Sequence, residues 1–230
     1  MPDGSEQRRF PRYAIQLPLL HAPRTPTPTQ TGVGWTHNLS EGGACVELDR
    51  RLSAPTRLQV RFQTDQGAIE VETQVVWEVE REGGGGGAGS VEGGVLHGVA
   101  FTHFASDQLQ ALRDLLLSQR RERRAGVRLP VDLAVTSQPK GEAGSPLQGR
   151  VGDMSRGGLL LRLTQALPPG TVLEVTLLPP SGPVTAEGEV VWVDPPHRQT
   201  FGEPIRHGVR FTALGWSTSL SLALLLGEPA

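Results

Sequence analysis

The sequence contains one cysteine, Cys45, among its 230 residues. A single cysteine cannot form a disulfide bond within the chain, so the fold does not depend on one. Cys45 lies in the apolar run Ala44-Cys45-Val46, which is typical of a small thiol buried in a core.

Long apolar runs are also absent. No stretch approaches the roughly 18 apolar residues of a membrane-spanning helix, and residues 1–6 lack the apolar core of a signal peptide. Hydrophobic residues make up 37% of the chain and charged residues 20%, as in an ordinary soluble protein. We therefore expect a cytoplasmic protein with no insertion into the membrane.

Lysine is almost absent, since Lys140 is the only lysine among 22 basic residues, and the net charge is -2. Proteins that coat nucleic acids need a broadly basic surface, so we expect no DNA or RNA partner. The arginines instead form two clusters, at residues 8–12 and 120–124. Both clusters precede extended segments, where packing gives no reason to collect arginines.

Several short phrases occur twice in the same order. The matching pairs are Ser40-Glu41-Gly42-Gly43 with Ser155-Arg156-Gly157-Gly158, Val75-Val76-Trp77 with Val190-Val191-Trp192, and His97-Gly98-Val99 with His207-Gly208-Val209. The arginine clusters repeat as well, with Arg12 recurring as Arg124. This pattern predicts a tandem duplication, with domain 1 at residues 1–119 and domain 2 at residues 120–230.

Apolar residues alternate with polar ones in Leu58–Phe62 and Val71–Val79, which predicts half-buried strands. The glycine-rich step at 38–43 lies between two extended runs and predicts a hairpin. Ser106 is expected to cap a helix that continues through Asp107 and Gln108, with an apolar face of leucines at helical spacing, namely Leu109, Leu112, Leu115 and Leu116. The predicted fold is mainly β, with two small six-stranded antiparallel barrels in tandem, each followed by an α-helix.

The glycine-rich run 83–94 is not followed by the Gly-Lys-Ser/Thr of a phosphate-binding loop. Its composition instead indicates a flexible loop between strands.

Two motifs in each repeat offer complementary chemistry. Arginine carries a planar fork of donors that matches phosphate oxygens or the O6 and N7 edge of guanine. The carboxylate of Asp153 accepts from guanine N1 and N2, and Ser155 donates or accepts. At Gly158 the missing side chain would let a ligand approach the backbone. Asn38 lacks the charge of Asp153, so we expect the first copy to bind more weakly.

The order of these motifs, an Arg-x-x-x-Arg spacing followed by Asp/Asn-x-Ser-x-x-Gly, resembles the PilZ domain. The resemblance extends to the Val-Val-Trp strand, the His-Gly-Val-x-Phe strand and the closing helix, so it covers nearly the whole chain twice. PilZ domains are bacterial six-stranded barrels that bind cyclic di-GMP. Carried over by motif, the resemblance implies one site at Arg8, Arg12, Asn38, Ser40 and Gly43 and another at Arg120, Arg124, Asp153, Ser155 and Gly158, with Arg9 and Arg121 as adjacent helpers.

The resemblance also implies a mechanism, because in this family the arginine segment commonly closes over bound ligand. In this chain the second such segment is the junction between the repeats, so ligand binding is expected to change the arrangement of the domains or the binding of a downstream protein that the sequence does not identify. Some PilZ-like domains bind no ligand, and a ligand-independent interaction adaptor is the alternative.

No catalytic residue is expected. Ser40 and Ser155 do not lie in a Gly-x-Ser-x-Gly elbow, and no acid-base partner is near either in sequence. His97 and His207 lack companions at metal-ligand spacing, so we interpret both as structural and expect no metal and no cofactor beyond the ligand. For Trp77 and Trp192 we favour packing in the core or at the rim over stacking on a guanine.

Overall fold

The computed structural model describes residues 10–24, 31–80, 93–119, 126–141, 144–198 and 202–227. Segments of alternating apolar and polar residues form its strands. The first six strands are β1 (Pro18–Pro23), β2 (Gly32–Ser40), β3 (Gly43–Leu48), β4 (Arg57–Thr64), β5 (Gly67–Glu80) and β6 (Val95–His103). They are followed by helix α1 (Ser106–Gln119).

The second half repeats this order. Its strands are β7 (Leu129–Pro139), β8 (Leu147–Ser155), β9 (Gly158–Leu163), β10 (Val172–Leu177), β11 (Val184–Val193) and β12 (Ile205–Ala213). One turn of 3-10 helix lies at Pro196–Arg198, and helix α2 spans Trp216–Gly227.

Each half closes into a barrel of six strands with the same antiparallel topology. The order around the first barrel is β1-β2-β3-β6-β5-β4, and around the second it is β7-β8-β9-β12-β11-β10. The predicted fold class, two six-stranded antiparallel barrels each followed by a helix, is therefore confirmed. We refer to the halves as the first and second domains.

The described residues divide into two compact units. One contains the residues up to Val127 together with the end of the chain from Leu226, and the other runs from Arg128 to Leu225. The predicted boundary between residues 119 and 120 stays a prediction, because residues 120–125 lie outside the described ranges. The same holds for the loop predicted at 83–94, since residues 81–92 are outside them as well.

Each barrel interior is filled by the apolar members of the alternating strands. In β4 the side chains of Leu58, Val60 and Phe62 are buried, and in β10 those of Leu173 and Val175 are buried on either side of the exposed Glu174. The period of two thus separates inside from outside.

The helix predicted after the last strand is confirmed as α1, and its apolar face packs as the leucine spacing indicates. The predicted cap is wrong by one residue, because Ser106 is the first residue of the helix and the carbonyl of Ala105 accepts from the amides of Gln108 and Leu109. Leu112, Leu115 and Leu116 are buried, and Leu109 is half-buried. The side chain of Gln108 fixes the helix to the sheet, because its Oε1 accepts from the amide of Glu70 in β5 at 2.8 Å.

A buried histidine at the start of the last strand ties a distant loop to each barrel. The Nε2 of His97 accepts from the amide of Leu52 at 3.0 Å, and its Nδ1 donates to the carbonyl two residues before it, also at 3.0 Å. His207 repeats both contacts, with the amide of Leu167 as donor. Since an amide can only donate and a carbonyl can only accept, each ring is neutral with its proton on Nδ1. The structural role predicted for both histidines is confirmed.

Burial lowers the pKa of the imidazoles of His97 and His207. In the unfolded chain a histidine has a pKa of about 6.5, so below that pH the unfolded state takes up protons that the folded state refuses. These two residues therefore destabilise the fold as the pH falls below about 6.5 and have no such effect well above it.

We expect the melting temperature of the protein to fall between pH 7.5 and pH 5.5, and the His207→Gln variant to show a shallower fall. Glutamine does not titrate, although losing one good hydrogen bond lowers the stability of the variant by about 1 kcal/mol at any pH. His103 is exposed, so His103→Gln is the control. Equal pH profiles for the wild type and His207→Gln would contradict the assignment.

Candidate functional site

The hairpin between β2 and β3, and its counterpart between β8 and β9, carry the polar motifs. A bulge interrupts β2 between Thr36 and Asn38, and another interrupts β8 between Val151 and Asp153. A bulge redirects the side chain that follows it. Asn38 and Asp153 are half-buried at equivalent positions, just before the turns.

Ser40 and Ser155 close these turns. The Oγ of Ser40 donates to the carbonyl of Gly43 at 3.0 Å, and that of Ser155 donates to the carbonyl of Gly158 at 3.4 Å. Both serines are buried. Their hydroxyls thus shape the hairpin, and contact with a ligand stays a prediction.

Gly43 and Gly158 lie against the backbone of the neighbouring strand. A Cβ atom on Gly43 would overlap the carbonyl oxygen of Val99 in β6, and one on Gly158 would overlap that of Val209 in β12. A side chain at either position would push the two strands apart. The sequence interpretation explains the glycine by the approach of a ligand to the backbone. The close approach of the neighbouring strand is a second reason for a glycine here, and it holds without any ligand.

One arginine in each domain reaches the polar residue before the turn. The Nη1 of Arg12 donates to the Oδ1 of Asn38 at 3.2 Å. In the second domain the corresponding contact is an ion pair, in which the Nη1 of Arg128 lies 2.5 Å from the Oδ1 of Asp153. Arg12, Asn38, Ser40 and Gly43 are thus brought together, as are Asp153, Ser155 and Gly158.

The partner of Asp153 corrects the alignment of the repeats. Tyr13 pairs with Leu39, and Leu129 pairs with Met154, so the residue before each pair, Arg12 or Arg128, occupies the same position. Arg12 therefore corresponds to Arg128 and not, as the sequence analysis predicts, to Arg124.

Sequence reasoning missed Arg128, although a signal was present. Arg124 and Arg128 have the same Arg-x-x-x-Arg spacing as Arg8 and Arg12, so the second domain contains two overlapping versions of the motif. Five predicted site residues lie outside the described ranges, and their roles stay predictions: Arg8, Arg9, Arg120, Arg121 and Arg124.

Three motif residues of the first domain, Arg12, Ser40 and Gly43, line a cavity of about 200 Å³. The lining residues are Phe10, Arg12, Ser40, Gly42, Gly43, Val76, Val99 and Ala100. A cation, hydroxyl and backbone beside an apolar wall suit a ligand with both a charged group and a flat ring.

Trp77 and Trp192 pack on glycines of the adjacent strand. A Cβ atom on Gly98 would overlap the ring of Trp77, and one on Gly208 would overlap that of Trp192. The two residues are 39% and 40% exposed. Both side chains thus pack on the adjacent strand, and the preference for packing over stacking on a guanine stays a prediction.

Cys45 is a buried free thiol, as predicted. Burial raises its pKa, an effect that the nearby charge of Arg12 opposes and that of Glu47 reinforces. The thiol is therefore protonated at neutral pH and is a poor nucleophile.

Among the residues that the structure describes, no group of three or more His, Cys, Asp or Glu side chains is placed to hold a metal ion. Within the same ranges, neither helix has the length and apolar character to cross a membrane.

We expect Gly158→Ala to lower the free energy of unfolding of the second domain by about 1–3 kcal/mol, the typical cost of overpacking. The new methyl group would press on the backbone of β12, which cannot rotate away. Gly157→Ala is the matched control, because a Cβ atom there meets nothing within 4 Å. Urea titration measures both variants, and equal losses of stability would contradict the close approach of the strands.

A sequence model of the PilZ domain matches residues 6–118 and 119–218. Comparison with curated protein sequences gave no significant match.

Three of the solved structures to which this chain is similar are described by their identity, coverage and TM-score. The PilZ domain of YcgR from Escherichia coli with c-di-GMP is 17% identical, covering 46% of this chain and 89% of that chain, with a TM-score of 0.38. The K. pneumonia MrkH-c-di-GMP complex is 11% identical, covering 91% and 86%, with a TM-score of 0.38. Bacillus subtilis Inhibitor of motility (MotI/DgrA) is 11% identical, covering 93% and 94%, with a TM-score of 0.37. At such low TM-scores the family assignment rests on the two matched ranges alone.

Proposed function

Because this chain belongs to the PilZ domain family and carries two such domains in tandem, we propose that it is a receptor for the bacterial second messenger cyclic di-GMP. It senses the ligand by binding it and has no catalytic activity of its own. The output is a change in the arrangement of the domains or in the binding of a downstream protein.

The observation that supports this proposal best is the contact between arginine and the hairpin in each domain. Arg12 reaches Asn38, and Arg128 reaches Asp153, so each domain has a guanidinium beside an acceptor at the same point of the barrel. A guanidinium binds phosphate oxygens, and an acceptor binds the N1 and N2 donors of guanine. Cyclic di-GMP carries both phosphate and guanine.

The proposed sites keep all the residues that the sequence resemblance implies and add Arg128. The first site comprises Arg8, Arg9, Arg12, Asn38, Ser40 and Gly43, and the second comprises Arg120, Arg121, Arg124, Arg128, Asp153, Ser155 and Gly158. The second site is proposed to bind more tightly, because the carboxylate of Asp153 accepts more strongly than the carboxamide of Asn38.

We expect Arg128→Ala to weaken binding of cyclic di-GMP at the second site. One charge-assisted hydrogen bond contributes about 1.5–3 kcal/mol, which corresponds to a roughly ten- to more than hundredfold loss of affinity. Isothermal titration of the full chain measures both affinity and stoichiometry. Arg57→Ala is the control, since Arg57 is exposed at the start of β4, a strand that does not line the cavity.

The stoichiometry of the wild type separates the two domains. A value near one, with an affinity that falls in Arg128→Ala, assigns binding to the second domain, and a value of two or more indicates that both domains bind or that one takes a pair of ligands. Absence of heat, together with no competition against a labelled ligand, would overturn the receptor proposal. The ligand-independent adaptor would then be the better description.

Two further expectations are part of the proposal. The net charge of -2 argues against a general nucleic-acid surface, but MrkH is described as a c-di-GMP-dependent transcription regulatory factor. The absence of a DNA or RNA partner therefore stays a prediction, which an oligonucleotide gel-shift assay with and without cyclic di-GMP would test. A cytoplasmic location also stays a prediction.

We expect saturating cyclic di-GMP to change the small-angle X-ray scattering profile of the full chain. Helix α1 ends at Gln119, directly before the arginine segment at 120–124, so closure of that segment over a ligand would act on the junction between the domains. Arg124→Ala should suppress the change at ligand concentrations that saturate the wild type. An unchanged profile at saturation would contradict this mechanism.

A further inference from the structure

The two candidate sites differ at one position of the wall beside the turn. Ala100 lines the cavity of the first domain and stands opposite Gly43 in the register of β3 and β6. In the second domain the residue opposite Gly158, in the register of β9 and β12, is Arg210. The second domain therefore has a cation where the first has a methyl group.

Arg210 lies close to the turn. A Cβ atom on Gly158 would be 3.1 Å from the Cα of Arg210, and the amide of the next residue, Phe211, donates to the carbonyl of Gly157 at 3.0 Å. The backbone of Arg210 is thus fixed against the hairpin that carries Asp153 and Ser155. Its long side chain begins at the site and has a flexible stem.

The guanidinium of Arg210 is held by a partner that it can exchange. Its Nη2 donates to the Oε2 of Glu189 at 2.8 Å, and the two side chains are 63% and 32% exposed. Glu189 faces Arg210 across β11 and β12. An exposed pair of this kind contributes about 0–1 kcal/mol to stability, so a ligand phosphate can compete for the arginine at little cost.

The first domain lacks both members of this pair. Gln74 occupies the position of Glu189 and faces Ala100. Neither the cation nor the restraining carboxylate is therefore needed for the barrel itself, because the first barrel closes with the same topology without them.

We propose that Arg210 is an additional anion-binding residue of the second site, and that it exchanges the carboxylate of Glu189 for a phosphate oxygen when cyclic di-GMP binds. This inference rests on the proposed function. Arg210 would add a contact that the first domain cannot make. The second site would then bind a phosphate of the ligand through Arg210 in addition to the guanine through Asp153.

The test is titration of cyclic di-GMP into the full chain with Arg12→Ala as background, so that the second site dominates the heat. Adding Arg210→Ala should reduce the affinity roughly ten- to a hundredfold. Adding Glu189→Gln should instead increase it by about two- to fivefold, because the variant removes the competing carboxylate and keeps the arginine.

The paired variants separate binding from a purely structural role. If Arg210 only stabilises the sheet through Glu189, both variants lower the melting temperature alike and neither changes the affinity, which would overturn the inference. Should Arg210→Ala fail to fold, Glu189→Gln decides alone, and unchanged or weaker binding would count against the proposal.

Failure of this inference is distinguishable from failure of the proposed function. If the wild type binds cyclic di-GMP, and Arg128→Ala weakens binding while Arg210→Ala does not, the role of Arg210 is rejected and the receptor proposal stands. A wild type that does not bind cyclic di-GMP would reject both.

Discussion

The close approach of two backbones at the motif hairpin is the constraint on which each barrel depends. Gly43 and Gly158 have no room for a Cβ atom beside the carbonyl of the last strand. The contact continues into the turn, where the amides of Phe101 and Phe211 donate to the carbonyls of Gly42 and Gly157 at 3.1 and 3.0 Å. The hairpin is therefore bound to the last strand both at its turn and at the glycine that follows the turn. A turn held by these contacts before a ligand arrives would reduce the entropy lost on binding.

Much of this frame follows from the sequence. The period of two in β4 and β5 predicts strands, the glycine step predicts the hairpin, and the leucine spacing predicts α1, because each is a local pattern. The repetition of phrases predicts the second barrel. What the local pattern cannot supply is contact between distant residues: His97 is recognised as structural, but its partner Leu52 lies 45 positions away and has no distinguishing feature in sequence.

The same limit explains the arginine that sequence reasoning missed. Arg120, Arg124 and Arg128 are equally spaced, so spacing alone does not say which two form the motif of the second domain. The pairing of Leu129 with Met154 does, because it aligns Arg128 with Arg12. A register is a property of two strands together, and one residue of slip turns a side chain to the opposite face. A motif next to a strand can thus be aligned only when its partner strand is known.

The duplicated frame also accounts for how the two sites can differ. Closure depends on backbone hydrogen bonds and on closely packed glycines, and a buried histidine ties a loop to each barrel; these features are the same in both domains. The side chains around the turn are not constrained in this way. Asn38 is replaced by Asp153, Glu41 by Arg156 and Ala100 by Arg210, and all three changes alter charge or hydrogen bonding without touching the contacts that close the barrel. The barrel is closed mainly by backbone contacts, whereas these three changes are in side chains around the turn. One fold can therefore hold two sites of different electrostatics. Differences in ligand preference between the domains can arise with little change in stability.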